Sequence, residues 1–122
     1  MGKKILIVDD DTEMAGVMGD ILKKHEYEVI FAQDGIQAIE KSNREKIDLI
    51  LLDLRMPFFS GFWFCDAFKQ KPETKGVPVV IVSGLSEKEN IEKAYRLGAA
   101  AFLKKPFRSK QLLDIVTKVL SS

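Results

Sequence analysis

Side chains that could handle phosphate stand directly after several apolar runs of this chain. Asp9 and Asp10 follow the first such run, and Asp53 follows another. Ser83 ends a third run, and Lys105 stands after a fourth. If those runs are neighbouring strands of one parallel sheet, their carboxyl ends meet at one edge. Three carboxylates, a hydroxyl and an ammonium group would then lie close together.

These residue types suit phosphoryl transfer onto an aspartate. Packed carboxylates repel one another, so a cluster of them needs a cation or a proton to persist. Oxygen ligands favour a hard ion such as Mg²⁺, for which Mn²⁺ could substitute. An aspartate can attack phosphorus as a nucleophile, while a lysine neutralises phosphoryl oxygens and a hydroxyl hydrogen-bonds to one of them. The reaction needs little beyond positioning and charge stabilisation.

The chain alternates between short apolar runs and longer stretches with helical periodicity. The predicted strands are 5–8, 28–32, 48–53, 77–82 and 100–104. The predicted helices are about 14–22, 34–45, 61–71, 86–98 and 109–120. Strict alternation of this kind predicts an α/β fold with a doubly wound five-stranded parallel sheet and five helices over its two faces.

Two of the helices carry finer signals. The sequence Ser-Glu-Lys-Glu at 86–89 has the pattern of a capping box, which predicts the start of the fourth helix. In the first helix, apolar residues recur at three- and four-residue spacing and predict one buried stripe. The residues of that stripe are Met14, Val17, Met18, Ile21 and Leu22.

Composition limits the class of protein. The chain has 122 residues and a mass of 13.8 kDa, which suits a single domain over 1–122 with no output domain in this chain. Lysine and arginine total 19 against 18 acidic residues, a net charge of +1 that gives no case for nucleic-acid binding or membrane attachment. Cys65 is the only cysteine, which excludes an internal disulfide and suits the reducing cytoplasm.

Five pieces of sequence, taken in order, carry a resemblance to a known family. They are the acidic pair 9–10, Asp-Leu-Arg-Met-Pro at 53–57 with a glycine at 61, Val-Ser-Gly at 82–84, Gly-Ala at 98–99, and Phe-Leu-Lys-Lys-Pro-Phe at 102–107. From Lys4 to Leu120 the chain resembles the receiver domain of response regulators in two-component signalling. One such piece is weak, whereas five at matching spacing are specific. The resemblance implies the flavodoxin-like receiver fold with strand order 2-1-3-4-5.

The resemblance also implies the chemical roles. Asp53 would accept the phosphoryl group in a Mg²⁺-dependent reaction. Asp9 and Asp10 would bind the metal together with Asp53 and the backbone carbonyl of Arg55. Lys105 would contact the phosphoryl group, and its bond to the following proline would be cis.

A signalling mechanism follows from the same resemblance. Ser83 would move toward the phosphoryl group and Phe102 would rotate inward, which changes a protein-binding face formed by the fourth helix, fifth strand and fifth helix. The donor would be a phosphohistidine of a sensor histidine kinase or histidine phosphotransfer protein. The chain would catalyse only its own phosphorylation and dephosphorylation and would not be a turnover enzyme. It is expected to be a monomer or a weak phosphorylation-dependent dimer.

Other functions stay open at this point. The chain could be a scaffold that keeps the receiver fold without phosphorylation, or the receiver part of a longer regulator with a DNA-binding or enzymatic output. The run Asp-Asp-Asp-Thr at 9–12 is also similar to the D-x-D-x-T loop of haloacid-dehalogenase-type phosphatases, although its threonine stands one place early. Turnover of a chromogenic phosphate ester would distinguish such a hydrolase.

An aromatic segment lies beside the predicted phosphoacceptor. Helical spacing buries Phe64 and Phe68 and leaves Phe58 and Trp63 over. Either these two pack on each other and on the loop, or they form a surface for a partner or a second copy. Cys65, in the same segment, is expected to be a small core residue.

Overall fold

A computed structural model describes residues 2–56 and 60–122, in which strands and helices alternate. The strands are β1 (Lys4–Val8), β2 (Glu28–Ala32), β3 (Leu49–Leu52), β4 (Val79–Ser83) and β5 (Ala101–Lys104). The helices are α1 (Thr12–Lys23), α2 (Gly35–Arg44), α3 (Gly61–Gln70), α4 (Lys88–Arg96) and α5 (Ser109–Ser121).

The strands form one parallel sheet in the order β2-β1-β3-β4-β5, as predicted. Val8 lies opposite Ala32 of β2 and Leu52 of β3, so these three strands end level with one another. Ser83 at the end of β4 lies opposite Lys104 of β5. The residues that follow the strands are therefore gathered at one edge of the sheet.

Both faces of the sheet are covered by helices. Helices α1 and α5 pack on one face, and α2, α3 and α4 pack on the other. Strands β3 and β4 are buried along their whole length, and β1 is buried after its first residue. Burial from both sides explains why their sequences are continuous apolar runs instead of alternating ones.

Short polar side chains start the first two helices. Asp11 caps α1 by accepting a hydrogen bond from the Met14 N–H at 3.1 Å. Asp34 caps α2 in the same way, accepting from the Gln37 N–H at 2.8 Å. The Gln37 side chain in turn accepts from the Gln33 N–H at 2.8 Å, so the first turn of α2 leaves few free amides.

The fourth helix begins later than the sequence predicts. Its N-cap is Glu87, and within the described part of the chain no side chain caps it, so the predicted capping box is wrong. The N–H of Ser86 donates to the carbonyl two residues earlier at 3.0 Å, which holds Ser86 in a turn ahead of the helix. The side-chain amide of Asn90 donates to Glu87 Oε2 at 2.9 Å instead.

Two further predictions about elements are wrong. Val17 is 51% exposed, because α1 turns its other apolar side chains toward the sheet. Strand β4 starts two residues later than predicted, because the N–H of Val77 donates to Thr74 O at 2.9 Å and closes the preceding loop. Pro78 has no N–H to give to the strand ladder.

Candidate active site

The predicted site residues meet in one cleft at the carboxyl edge of the sheet. Asp9 and Asp53 directly follow β1 and β3, Ser83 ends β4, and Lys105 follows β5. The cleft has a volume of about 280 Å³. Its lining residues are Asp10, Asp11, Asp53, Arg55, Ser83, Gly84 and Lys105.

Lys105 joins the two buried carboxylates. Its Nζ donates to Asp9 Oδ2 at 2.9 Å and to Asp53 Oδ2 at 3.1 Å. Its backbone N–H donates to Ser83 O at 2.9 Å, which fixes the loop after β5 beside the end of β4. The Lys105–Pro106 peptide bond is cis, as predicted. The sequence separates these groups widely, and only the parallel sheet brings them into hydrogen-bond contact.

Burial and charge act against each other on this pair. Burial raises the pKa of Asp9, and the hydrogen bonds from the Asp11 N–H and from Lys105 lower it only in part. Burial works to lower the pKa of Lys105, but its hydrogen bond to Asp9 and the charges of Asp53 and Asp9 outweigh burial and leave the pKa raised. Lys105 is therefore a firmly charged ammonium group at neutral pH.

Three carboxylates of the cleft are close enough to share one cation. Asp9, Asp10 and Asp53 each offer an oxygen atom, and these atoms lie within 4.8 Å of one another. Asp9 and Asp53 are buried, whereas Asp10 is exposed to solvent. A set of carboxylate oxygens that is open to water on one side fits a hard divalent ion such as Mg²⁺.

Backbone amides orient the side chains at three strand ends. The N–H of Asp11 donates to Asp9 Oδ1 at 2.9 Å, and the N–H of Arg55 donates to Asp53 Oδ1 at 3.0 Å. Ser83 Oγ accepts in the same way from the N–H two residues on, at 3.2 Å. Sequence reasoning missed this role of the amide at the second following residue. The signal was an Asp or Ser at a strand end, since such side chains commonly close turns of this size.

The predicted switch residues lie behind the cleft. Ser83 is fully buried. Phe102, in the middle of β5, lies opposite Ile81 of β4 and is half-buried against the same core layer as α3 and α4. Phe102 also lines a groove of about 660 Å³ together with Tyr95 of α4 and Ile115 of α5. The face predicted to bind proteins therefore contains an open groove.

The aromatic prediction is only partly addressed. Phe58 lies outside the described residues. Trp63 is 53% exposed, and its ring meets the ring of Phe64 edge-on at 4.9 Å between centroids. Cys65 is buried as predicted, and burial raises the pKa of its thiol to about 11.

A doubly wound parallel sheet whose carboxyl edge holds an aspartate triad, a buried serine and a lysine defines the receiver class of signalling domains. The chain belongs to the response regulator receiver domain family, whose pattern it matches over residues 5–117. It therefore acts as a phosphoacceptor-type receiver in two-component signalling.

Curated relatives agree with this assignment. The chain is 32% identical over 120 residues to sporulation initiation phosphotransferase F of Bacillus subtilis, covering 98% of this chain and 95% of that protein. It is 33% identical over 117 residues to the transcriptional regulatory protein CpxR of Escherichia coli, covering 96% of this chain. The chain spans about half of the length of CpxR, 49%.

Solved structures are similar over the whole chain. A response regulator from Chloroflexus aurantiacus superposes with a TM-score of 0.95 at 27% identity, with 100% of both chains covered. The receiver domain of a sensor histidine kinase from Pseudomonas aeruginosa gives 0.91 at 27% identity, also with full coverage of both chains. That second structure has a magnesium ion coordinated in its active site cleft.

Membrane insertion finds no support in the described helices, since none is both long and apolar enough to cross a bilayer.

Proposed function

We propose that this receiver takes a phosphoryl group onto Asp53 from a phosphohistidine of a sensor histidine kinase or a histidine phosphotransfer protein. The observation that carries the proposal is the placement of Lys105, whose ammonium group lies 3.1 Å from Asp53 and 2.9 Å from Asp9 at an open cleft. A cation beside the acceptor carboxylate neutralises phosphoryl oxygens as they approach.

The transfer exchanges one bond to phosphorus for another. A carboxylate oxygen of Asp53 forms the new O–P bond, the N–P bond of the phosphohistidine breaks, and the imidazole leaves with the electron pair and takes a proton from water. Lys105 and the hydroxyl of Ser83 would contact the phosphoryl oxygens. In the reverse direction of signalling, water attacks phosphorus, the O–P bond breaks, and Asp53 is restored with release of inorganic phosphate. The domain thus acts only on its own aspartate.

Asp9, Asp10 and Asp53 would hold Mg²⁺ together with the backbone carbonyl of Arg55, and Mn²⁺ could replace it. When bound, the ion neutralises the negative charge that develops on phosphoryl oxygens. Of the four ligands, Asp9 and Asp53 are oriented before the ion arrives, because each accepts a backbone N–H bond. Asp10 is exposed, so its carboxylate can follow the ion at little structural cost.

Signalling would use the groove beside Phe102. Movement of Ser83 toward the phosphoryl group vacates space behind β4, and the ring of Phe102 would rotate into it. That rotation reshapes the groove lined by Tyr95 and Ile115, on the face of α4, β5 and α5. Phosphorylation would then shift a population between two arrangements of this face.

The test is phosphorylation by a small donor. The protein is incubated with Mg²⁺ and acetyl phosphate, and its intact mass is followed. We expect one phosphoryl adduct that disappears with Asp53→Asn or with EDTA and is strongly reduced with Lys105→Ala. Asp114→Asn, at an exposed aspartate of α5, is the matched control and should phosphorylate normally.

Three outcomes would contradict the proposal. An adduct that forms equally on Asp53→Asn would place the phosphoryl group elsewhere. Failure to bind Mg²⁺, with no adduct even from a phosphohistidine donor protein, would favour a phosphorylation-independent scaffold. Repeated turnover of a chromogenic phosphate ester would favour a hydrolase.

A further inference from the structure

Helix α4 is held unevenly along its length. Ala94 is its only fully buried residue, and within the described chain no side chain caps its first turn. The residues of that turn are exposed or half-buried, and Lys88 forms only a long, exposed ion pair with Glu92, 3.9 Å between the charged atoms. Its N-terminal half is therefore weakly fixed by its own contacts.

The C-terminal half of α4, in contrast, contacts one stripe of α3. The ammonium group of Lys93 lies over the ring of Phe62, 4.6 Å from its centroid. The carbonyl of Leu97 accepts a hydrogen bond from the thiol of Cys65 at 3.8 Å. Positions 62 and 65 are one turn apart on α3, so both contacts fall on the same side of that helix.

A third contact continues the stripe by one more turn. The backbone of Gly98, just after α4, packs on the side chain of Lys69, and a Cβ atom at Gly98 would lie 3.1 Å from Lys69 Cγ. The φ angle of Gly98 is +101°, a conformation that glycine adopts without strain. The Lys69 ammonium group donates to Val77 O at 2.9 Å, which fixes the stripe to the segment before β4.

Helix α3 itself cannot shift easily at its start. The N–H of Gly61 donates to Leu54 O at 2.8 Å. A Cβ atom at Gly61 would lie 2.3 Å from Asp53 O, so the helix starts directly on the backbone that carries the phosphoacceptor. The stripe of α3 is thus a fixed support for the end of α4.

The start of α4 depends on a different contact. The loop 84–87 leads into the helix, and the N–H of Leu85 donates to Ser83 Oγ at 3.2 Å. If Ser83 turns to a phosphoryl oxygen, that hydrogen bond is lost and the loop is loosened. The two halves of α4 therefore respond to different partners.

We propose that α4 is a hinged element whose C-terminal part, residues 93–98, is clamped on the Phe62, Cys65 and Lys69 stripe of α3, while residues 84–91 are released on phosphorylation. The contact of Lys93 with Phe62 marks the boundary between the two parts. This inference rests on the proposed phosphorylation of Asp53 for its trigger, but the clamp exists in the unmodified protein.

Amide hydrogen exchange tests the hinge. Exchange is measured over 84–91 and 93–98 with and without Mg²⁺ and acetyl phosphate, and intact mass is recorded on the same samples. We expect phosphorylation to speed exchange over 84–91 and to leave 93–98 unchanged. Lys93→Met should speed exchange over 93–98 by about two- to fivefold already without phosphate, the range expected for one exposed cation–π contact.

Controls separate the clamp from other effects. Lys88→Met removes the other lysine near the start of the same helix and should leave 93–98 unchanged. Phe62→Leu keeps an apolar side chain on α3, removes the ring, and should reproduce Lys93→Met. Equal exchange over 93–98 in Lys93→Met and Lys88→Met would overturn the clamp, as would a wild-type phosphorylation effect spread evenly along α4. Absence of the mass adduct would instead count against the proposed function, while the comparison of unmodified variants still decides the clamp.

Discussion

The carboxylate of Asp9 is 2% exposed and lies beside Asp53 and Lys105, so its negative charge has lost most of its water. One amide bond and one lysine replace that water, and burial still raises the pKa of Asp9. The side chain therefore fits metal binding better than it fits the metal-free fold. Sites of this kind commonly trade stability for activity.

Replacement of Asp9 by asparagine should therefore stabilise the metal-free protein. Because the folded pKa is raised above 3.8, wild-type stability is lost as pH rises from 3.8 through the folded pKa, whereas asparagine does not titrate. We expect Asp9→Asn to gain about 0.5–2 kcal/mol at pH 7 and much less near pH 3. Urea unfolding at several pH values in EDTA measures this difference. Added Mg²⁺ should raise the midpoint of wild type only, and a variant less stable than wild type at pH 7 would contradict the argument.

The thiol of Cys65 should be inert in the folded protein. Burial raises its pKa to about 11, so almost no thiolate is present at neutral pH. We expect iodoacetamide to modify Cys65 slowly at pH 7.5 and rapidly once urea unfolds the domain, with intact mass as the readout. Fast labelling under native conditions would show that this part of α3 opens.

At the scale of elements, two glycines of α1 make a matched pair. A Cβ atom at Gly16 would meet nothing within 4 Å, whereas one at Gly19 would lie 2.7 Å from the ring of Phe31. Since alanine favours a helix interior over glycine, Gly16→Ala should stabilise the domain by about 0.5–1 kcal/mol. Gly19→Ala gains the same helix preference but must displace a ring of β2, so it should be clearly less stable than Gly16→Ala. Thermal unfolding of both variants tests this order, and equal stabilities would contradict it.

The elements also show what the sequence could predict. Strand order and the gathering of Asp9, Asp53 and Lys105 follow from apolar runs that end in polar residues, and these predictions are confirmed. The start of α4 was wrong because Ser86 bonds within a turn, a choice that local pattern does not reveal. The contact of Lys93 with Phe62 could not be predicted, because it depends on how two helices lie side by side on the sheet.

At the scale of the whole molecule, two apolar layers share one sheet. The layer under α3 contains Phe64 and Phe68, and the layer under α5 contains Leu112 and Val116. The strands between them supply alternate side chains to both layers. Loss of either layer removes support from the same strands, so the domain should unfold as one unit.

Leu112→Ala tests that unity from the far side of the sheet. Leu112 is fully buried, and its truncation should cost about 2–5 kcal/mol. Trp63 lies on α3, across the sheet, so its fluorescence reports on the other layer. We expect urea unfolding followed by Trp63 fluorescence and by far-UV circular dichroism to shift to the same lower midpoint. The half-buried neighbour Leu113→Ala should shift both probes less. A fluorescence midpoint that stays at the wild-type value, while the dichroism midpoint falls, would mean that the two layers unfold separately.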